Sequence, residues 1–178
     1  NIVIDQNHNY FTVENNILFD KEKTRLLMYL NSKTETTYTV PEGVNILDQY
    51  SFYKVSALET VTITKDVMVI ITPVFFNCPS LKEIEIPDGI TSIENDIFSD
   101  CSHLTSITMK NVESIGIGSF KNCFDLETLT LPTTLKRIDS YAFEHCIQLK
   151  SLHIPNSVTF IGNEIFKNCT SLTSVTLS

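Results

Sequence analysis

The chain has 178 residues, of which 42% are hydrophobic, and 13 Lys and Arg stand against 21 Asp and Glu for a net charge of −8. The apolar share is ample for a buried core, whereas the acidic balance and the lack of clustered cations exclude a nucleic-acid partner, because binding a phosphate backbone requires cations that release its counterions. No run of about 18 apolar residues exists to cross a bilayer, so membrane insertion by this segment is excluded as well.

Residues 1–34 do not follow the pattern of the rest. Ile2-Val3-Ile4 reads as one short strand, and Asn7, Asn9 and Asn15-Asn16 mark turns, since Asn tolerates left-handed backbone. ILF at Ile17 to Phe19, the polar stretch Asp20 to Thr24, and RLLMYL from Arg25 to Leu30 read as a β-hairpin. Its turn has no Asn-Gly or Asp-Gly, so a loop of about four or five residues is expected. The hairpin is placed either over the end of the following array or as an interruption between Ile2–Ile4 and the next coil.

From residue 35 to 178 the sequence is a tandem repeat. Opening leucines at Leu58, Leu81, Leu104, Leu126, Leu149 and Leu172 are spaced 23, 23, 22, 23 and 23 residues apart, and an irregular first copy begins at Glu35. A fixed period of this size specifies a solenoid, in which each unit buries its apolar face only by stacking on a neighbour. Apolar pairs two residues apart, Tyr38/Val40, Val61/Ile63, Ile84/Ile86, Ile107/Met109, Leu129/Leu131, Leu152/Ile154 and Val175/Leu177, mark one inward strand face per copy. The expectation is seven stacked parallel strands in one sheet about 30 Å wide. Pro41, Pro87, Pro132 and Pro155 then end the strand without leaving an unpaired donor. Two further inward rows follow, at Val44, Val67, Ile90, Val112, Leu135 and Val158 and at Leu47, Ile70, Ile93, Ile115, Ile138 and Ile161. Copies close on Phe and, three residues later, Cys, from Phe75/Cys78 to Phe166/Cys169, with Phe52/Val55 in the first. So short a return leg holds extended segments or single helical turns and little α-helix. A start at Asn1 without Met or a basic, apolar leader, and a stop at Ser178 one strand into a new copy, are expected of a piece of a longer protein.

The pattern LKEIEIPDGITSIENDIFSDC from Leu81 to Cys101 resembles the BspA-type leucine-rich repeats of bacterial and protozoan surface proteins. The resemblance covers Glu35 to Ser178, and ILFDKEKTRLLMYL resembles a hairpin insert common in that family. It implies a curved right-handed leucine-rich repeat solenoid with its parallel sheet on the concave face, a cell-surface or secreted location, and adhesion to host proteins or other cells. It carries no catalytic residues. Thr64 and Lys110 depart from the strand-ending Pro, Val55 departs from Cys, and the copy from Leu104 to Asp125 is one residue short near Asn111.

The outward positions of the sheet supply the candidate binding surface: Thr37, Thr39, Thr60, Thr62, Glu83, Glu85, Ser106, Thr108, Thr128, Thr130, Ser151, His153, Ser174 and Thr176. Such a face offers many hydroxyls to a protein partner, against the plainer reading that Thr suits exposed strands by its β-branching. A glycan is the second partner class, weakened by the absence of Trp and of an aromatic row on this face, and a display scaffold without its own ligand is the third reading. Met68, Val69, Ile71 and Phe76 stand where other copies are polar or small and form a candidate apolar contact patch, with a local register shift that buries them as the alternative reading. Glu83 and Glu85 have a spacing that a glycosidase could use, but an open sheet has no cavity to shift a pKa, so no enzyme is expected. Regular Thr rows also suggest ice binding, which the Glu pair argues against. The five cysteines recur at one position with parallel side chains, so buried free thiols and no disulfide are expected. His103 and His145 lie beside Cys101 and Cys146 without ligand spacing, so neither metal nor cofactor is expected. Asn168-Cys169-Thr170 is a glycosylation sequon whose central Cys is expected to be buried.

Overall fold

The computed structural model describes residues 1–5 and 7–178, and its chain winds as a β-solenoid of stacked coils. The order begins with β1 (Phe11–Glu14), β2 (Ile17–Asp20) and β3 (Arg25–Tyr29). Coils then contribute one front strand and one two-residue back strand: β4 (Thr37–Thr39) and β5 (Ile46–Leu47), β6 (Thr60–Thr62) and β7 (Val69–Ile70), β8 (Glu83–Ile86) and β9 (Ser92–Ile93), β10 (Ser106–Met109) and β11 (Ser114–Ile115). The next coil has only its back strand, β12 (Arg137–Ile138). It is followed by β13 (Ser151–Ile154), β14 (Phe160–Ile161) and β15 (Ser174–Leu177). No helix occurs among the described residues.

The front strands pair in parallel at the repeat period, Glu83 opposite Thr60 and Ser106 opposite Glu83. β8, β10 and β13 alternate exposed and buried side chains, as a strand with one buried face must. Val175 and Leu177 of β15 and Ile161 of β14, expected to face inward, are instead 41%, 72% and 45% exposed, because no coil stacks on them among the described residues. The expected seven-stranded sheet is not continuous. β4, β6, β8 and β10 form one sheet, β13 and β15 another, and residues 128–131 between them join neither. The break falls directly after the coil that is one residue short. The missing residue belongs to the turn at Lys110–Val112, while the back strands of the same two coils stay in register, Ser114 opposite Arg137. Coil spacing is thus fixed at the back, and the mismatch is taken up at the front.

The hairpin loop runs from Lys21 to Thr24, with Lys23 left-handed at φ 56°. One further strand, β1, precedes it across Asn15-Asn16, both left-handed at φ 49° and 60°, as a tight two-residue hairpin turn requires. β3 pairs in parallel with β5, Leu26 opposite Leu47, and the Tyr29 ring stacks on Phe52 at 5.4 Å. The hairpin therefore extends the back row and covers the first core ring. Ile2–Ile4, expected as a strand, pairs with nothing among the described residues, and Val3 is 87% exposed. The segment passes beside β1, the open edge of its sheet, without forming a ladder on it.

The core is a single column. Phe52, Phe75, Phe98, Phe120 and Phe143 are fully or almost fully buried, and each stacks on the next with ring centroids 5.0, 5.7, 5.6 and 5.5 Å apart. Rows of Leu, Val and Ile close it on the front and back. The cysteines serve as small core residues with one polar duty: each thiol donates to the carbonyl of the Phe in the preceding coil, from Cys78 to Phe52 O at 2.9 Å through Cys169 to Phe143 O at 3.0 Å. All five are free. Burial pushes the thiols of Cys101, Cys123 and Cys146 well above their ordinary pKa.

Candidate functional site

Alternation along the front strands puts Thr62, Glu83, Glu85, Ser106, Thr108, Ser151 and His153 on the exposed surface, with Thr60 half-buried. Thr128 and Thr130 are exposed on the segment that leaves the ladder. The structure thus brings the predicted residues onto one side of the solenoid but divides them into two groups. In the first group a shallow depression of about 270 Å³ is lined by Thr60, Thr62, Glu83, Glu85, Ser106 and Thr108. Glu85 accepts a hydrogen bond from the Lys110 ammonium at 3.0 Å, which raises the pKa of that lysine. In the second, His153 bonds Thr176 Oγ1 through Nδ1 at 2.9 Å and Ser178 Oγ through Nε2 at 2.7 Å.

Between the groups lies a cleft of about 460 Å³, walled by residues 105–110 on one side and by Thr128, Leu129, Thr130 and Pro132 on the other. A depression of about 570 Å³ adjoins it through Thr105 and is lined further by Asp125, Glu127 and Gln148. Sequence reasoning missed Thr105, Lys110, Asp125 and Glu127 as lining residues. The available signal was the single 22-residue step, which marks the one place where neighbouring coils cannot match along their whole length. Along the edge of the face, Lys82 pairs with Glu59 at 2.9 Å and Lys150 with Glu127 at 2.8 Å. These exposed pairs order side chains and add little stability.

The four apolar residues singled out in the second regular coil lie on the back and the return leg. Met68 and Val69 are 58% and 46% exposed, while Ile71 and Phe76 are half-buried, Phe76 against Tyr53 at 5.9 Å. Here the back row is interrupted, since β7 ends one sheet and β9 another. Met68 occupies the space that a side chain at residue 89 would take: a Cβ on Gly89 would lie 3.1 Å from its sulfur.

The chemistry available on the front is hydrogen bonding. Glu83 and Glu85 lie in the shallow depression beside Thr60, Thr62, Ser106 and Thr108, and Lys110 holds Glu85. His103 Nδ1 lies 2.6 Å from Pro79 O, and His145 bonds the Asn168 amide through Nε2 at 2.9 Å, so neither ring turns toward its neighbouring thiol. Among the described residues no three His, Cys, Asp or Glu side chains converge in a way that could hold a metal ion, and no helix is long and apolar enough to cross a membrane. Asn168 is exposed and left-handed at φ 59°, and Cys169 beside it is half-buried.

Comparison with known proteins agrees with this architecture. A leucine-rich repeat protein from Eubacterium ventriosum superposes with a TM-score of 0.79 over 95% of this chain and 52% of its own, at 27% identity. The leucine-rich repeat protein of Treponema pallidum does so with a TM-score of 0.80 over 97% of this chain and 82% of its own, at 25% identity. A leucine-rich cell surface protein from Faecalibacterium prausnitzii gives 0.64, covering 96% and 40%, also at 25% identity. This chain therefore spans about half or less of the Eubacterium and Faecalibacterium proteins. No curated protein matches it. The family model described as the BspA type leucine-rich repeat region, in 6 copies, matches residues 28–146 and 104–178. With the coil period, the inward rows and this match in accord, the chain belongs to the BspA type leucine-rich repeat family.

Proposed function

We propose that this chain is a non-catalytic recognition module at the cell surface, binding a protein partner through the front of the solenoid. The observation that carries the reading is the front face itself: Thr62, Glu83, Glu85, Ser106, Thr108, Ser151 and His153 on strands, and Thr128 and Thr130 on the segment between them, are exposed together while the alternate residues are buried in the core. A surface held in that way loses little ordering entropy on binding, so many weak polar contacts add up to useful affinity. Solenoids generally bind on such extended faces. The surface location draws on the Faecalibacterium relative, which is a cell surface protein. Host matrix or cell-surface proteins are the partner class favoured, and the face has no aromatic row on which a glycan would stack.

The test is binding of the purified chain to a panel of extracellular-matrix proteins, whole cells and glycans, beside a variant carrying Thr128→Lys, Thr130→Lys, Ser151→Lys and His153→Lys. All four sites are exposed, so the fold should survive, as circular dichroism would verify. Saturable binding that the variant weakens at least tenfold is the expected result. Adhesion that the four substitutions leave unchanged would remove the front face from the mechanism and leave a display scaffold.

A further inference from the structure

Five coils place a left-handed residue at the same point of the return leg, Tyr50, Asp96, Gly118, Tyr141 and Glu164, with φ between 51° and 60°. Four of them carry a side chain and Gly118 does not, so the row has a gap between Asp96 and Tyr141. The gap opens as a notch of about 300 Å³, walled by those two residues and by Ile117, which is 48% exposed, and lined further by Lys121, Glu144 and Lys167. At about 30 Å³ per water it has room for one long side chain, and it shares no lining residue with the depressions of the front.

The charges in the notch differ in their commitments. Lys121 is bonded to the buried Glu144 at 2.8 Å, and Lys167 to Glu164 at 2.9 Å. Among the described residues the Asp96 side chain accepts no hydrogen bond and pairs with no cation. Its carboxylate leans over Gly118, where a Cβ would lie 2.6 Å from Oδ1. Burial raises the pKa of Asp96 against the opposing field of Lys121. This carboxylate has therefore lost part of its hydration without gaining a partner, an uncompensated cost. One positive charge would complete the notch.

The remaining walls select the kind of cation. Ile117 is an apolar shelf for an aliphatic stem, and the Tyr141 ring already draws the Lys167 ammonium to 5.4 Å from its centroid. Arginine combines such a stem with a planar fork that grips a carboxylate through two hydrogen bonds, stacks on aromatic rings and is more weakly hydrated than an ammonium. We propose that the notch at Gly118 is a second docking site, on the return leg instead of the front, and that it takes an arginine side chain of a protein partner, with the guanidinium on Asp96 and the stem on Ile117. The missing side chain at residue 118 is what keeps the site open.

The experiment is titration of the isotope-labelled chain with N-acetyl-arginine amide, N-acetyl-lysine amide and N-acetyl-norleucine amide, read from the amide resonances of Ile117, Gly118 and Tyr141. Blocked termini make each compound resemble a residue within a chain. The arginine compound should give saturable shifts at these residues, the lysine compound should bind about threefold more weakly or worse, and the norleucine compound should not saturate. Asp96→Asn removes the charge and keeps the shape, and should weaken arginine binding about tenfold or more, as loss of a charge-assisted bond does. Gly118→Asn fills the gap with a residue that tolerates left-handed backbone and displaces only the end of the Asp96 side chain, so it should act in the same direction. The four-lysine variant of the front should bind the arginine compound as the native chain does, which keeps this site and the front-face reading separable. The proposal is overturned if the arginine compound gives no saturable shift, if the lysine or norleucine compound binds equally well, if Asp96→Asn leaves affinity unchanged, or if the four-lysine variant loses the binding. The Asp96→Asn comparison decides the matter even where Gly118→Asn disturbs folding.

Discussion

Replacing Phe120 with Ala tests whether the coils are coupled mainly through the ring column. Phe120 is fully buried, with Phe98 at 5.6 Å on one side and Phe143 at 5.5 Å on the other, inclined by 18° and 9°. A buried Phe→Ala change costs about 3–5 kcal/mol through lost transfer free energy and the cavity left behind. The upper part of that range is expected here. Phe120 links its coil to the next where the front ladder is missing, and only the pairing of β11 with β12 spans the same joint as a ladder. Phe166 is the internal control, half-buried with a single ring neighbour at 5.8 Å, and Phe166→Ala should cost roughly half as much. Urea unfolding followed by far-ultraviolet circular dichroism gives both values. In thermal melts a loss of about 4 kcal/mol corresponds to a drop of roughly 8–16 °C for a chain of this size. Phe120→Ala should also lower amide protection in residues 126–178 before it does so in residues 35–103. Equal costs at the two positions, or protection lost evenly along the chain, would refute the coupling argument.

Thiol labelling of the native protein at mildly alkaline pH should modify Cys169 first and leave Cys78, Cys101, Cys123 and Cys146 protected until unfolding. The last four are at most 2% exposed and Cys169 is half-buried, and the thiolate is the reactive form. Early labelling of Cys101 would contradict the packing described. Glu144, 7% exposed, has its pKa held below the ordinary 4.5 chiefly by the hydrogen bond from Lys121, at 2.8 Å, against the opposing effect of burial. A lowered folded-state pKa means stability that is present above about 4.5 and lost as pH falls through the folded value. Glu144→Gln should therefore flatten the decline in urea midpoint between about pH 5 and pH 3, and an unchanged acid slope would assign that decline to other groups.

The fold was legible because its signals repeat. An inward Leu or Ile is weak evidence once, but the same offsets in successive copies leave a single register in which all rows face one interior. Two of the features that went unread, β1 and the unpaired ends of the ladders, occur once each. β1 was hidden although Asn15-Asn16 is a good two-residue turn and Phe11–Glu14 alternates, because the strand has four residues and no second copy to reinforce it. The assignment of Ile2–Ile4 failed because an apolar triplet with no second copy is a weak strand signal: the segment lies beside the open edge of β1 but makes no ladder with it. The sulfur bonds to the Phe carbonyls follow from the Phe-x-x-Cys spacing but need three dimensions to be seen, since each joins residues 25 or 26 positions apart. On the site, alternation correctly placed the exposed hydroxyls, but no pattern in Thr128 or Thr130 tells that their backbone is unpaired. That information lies in the deletion one coil earlier.

The two interruptions of hydrogen bonding in the solenoid are offset along its axis. In the back row the break lies between β7 and β9, where the front strands β6 and β8 remain paired in register. In the front row it spans residues 128–131, which pair with neither β10 nor β13, where the back strands β11, β12 and β14 remain paired. At neither joint are both ladders lost, and the Phe column passes through both at nearly constant spacing, 5.7 Å from Phe75 to Phe98 and 5.5 Å from Phe120 to Phe143. In a solenoid, stability is the sum of coil and nearest-neighbour terms. A joint that kept neither ladder would divide the chain into two independently melting parts, whereas a joint that keeps one ladder and the core stays cooperative. The front row can therefore lose its pairing at residues 128–131 without dividing the chain, because the back strands and the Phe column hold the same coils together.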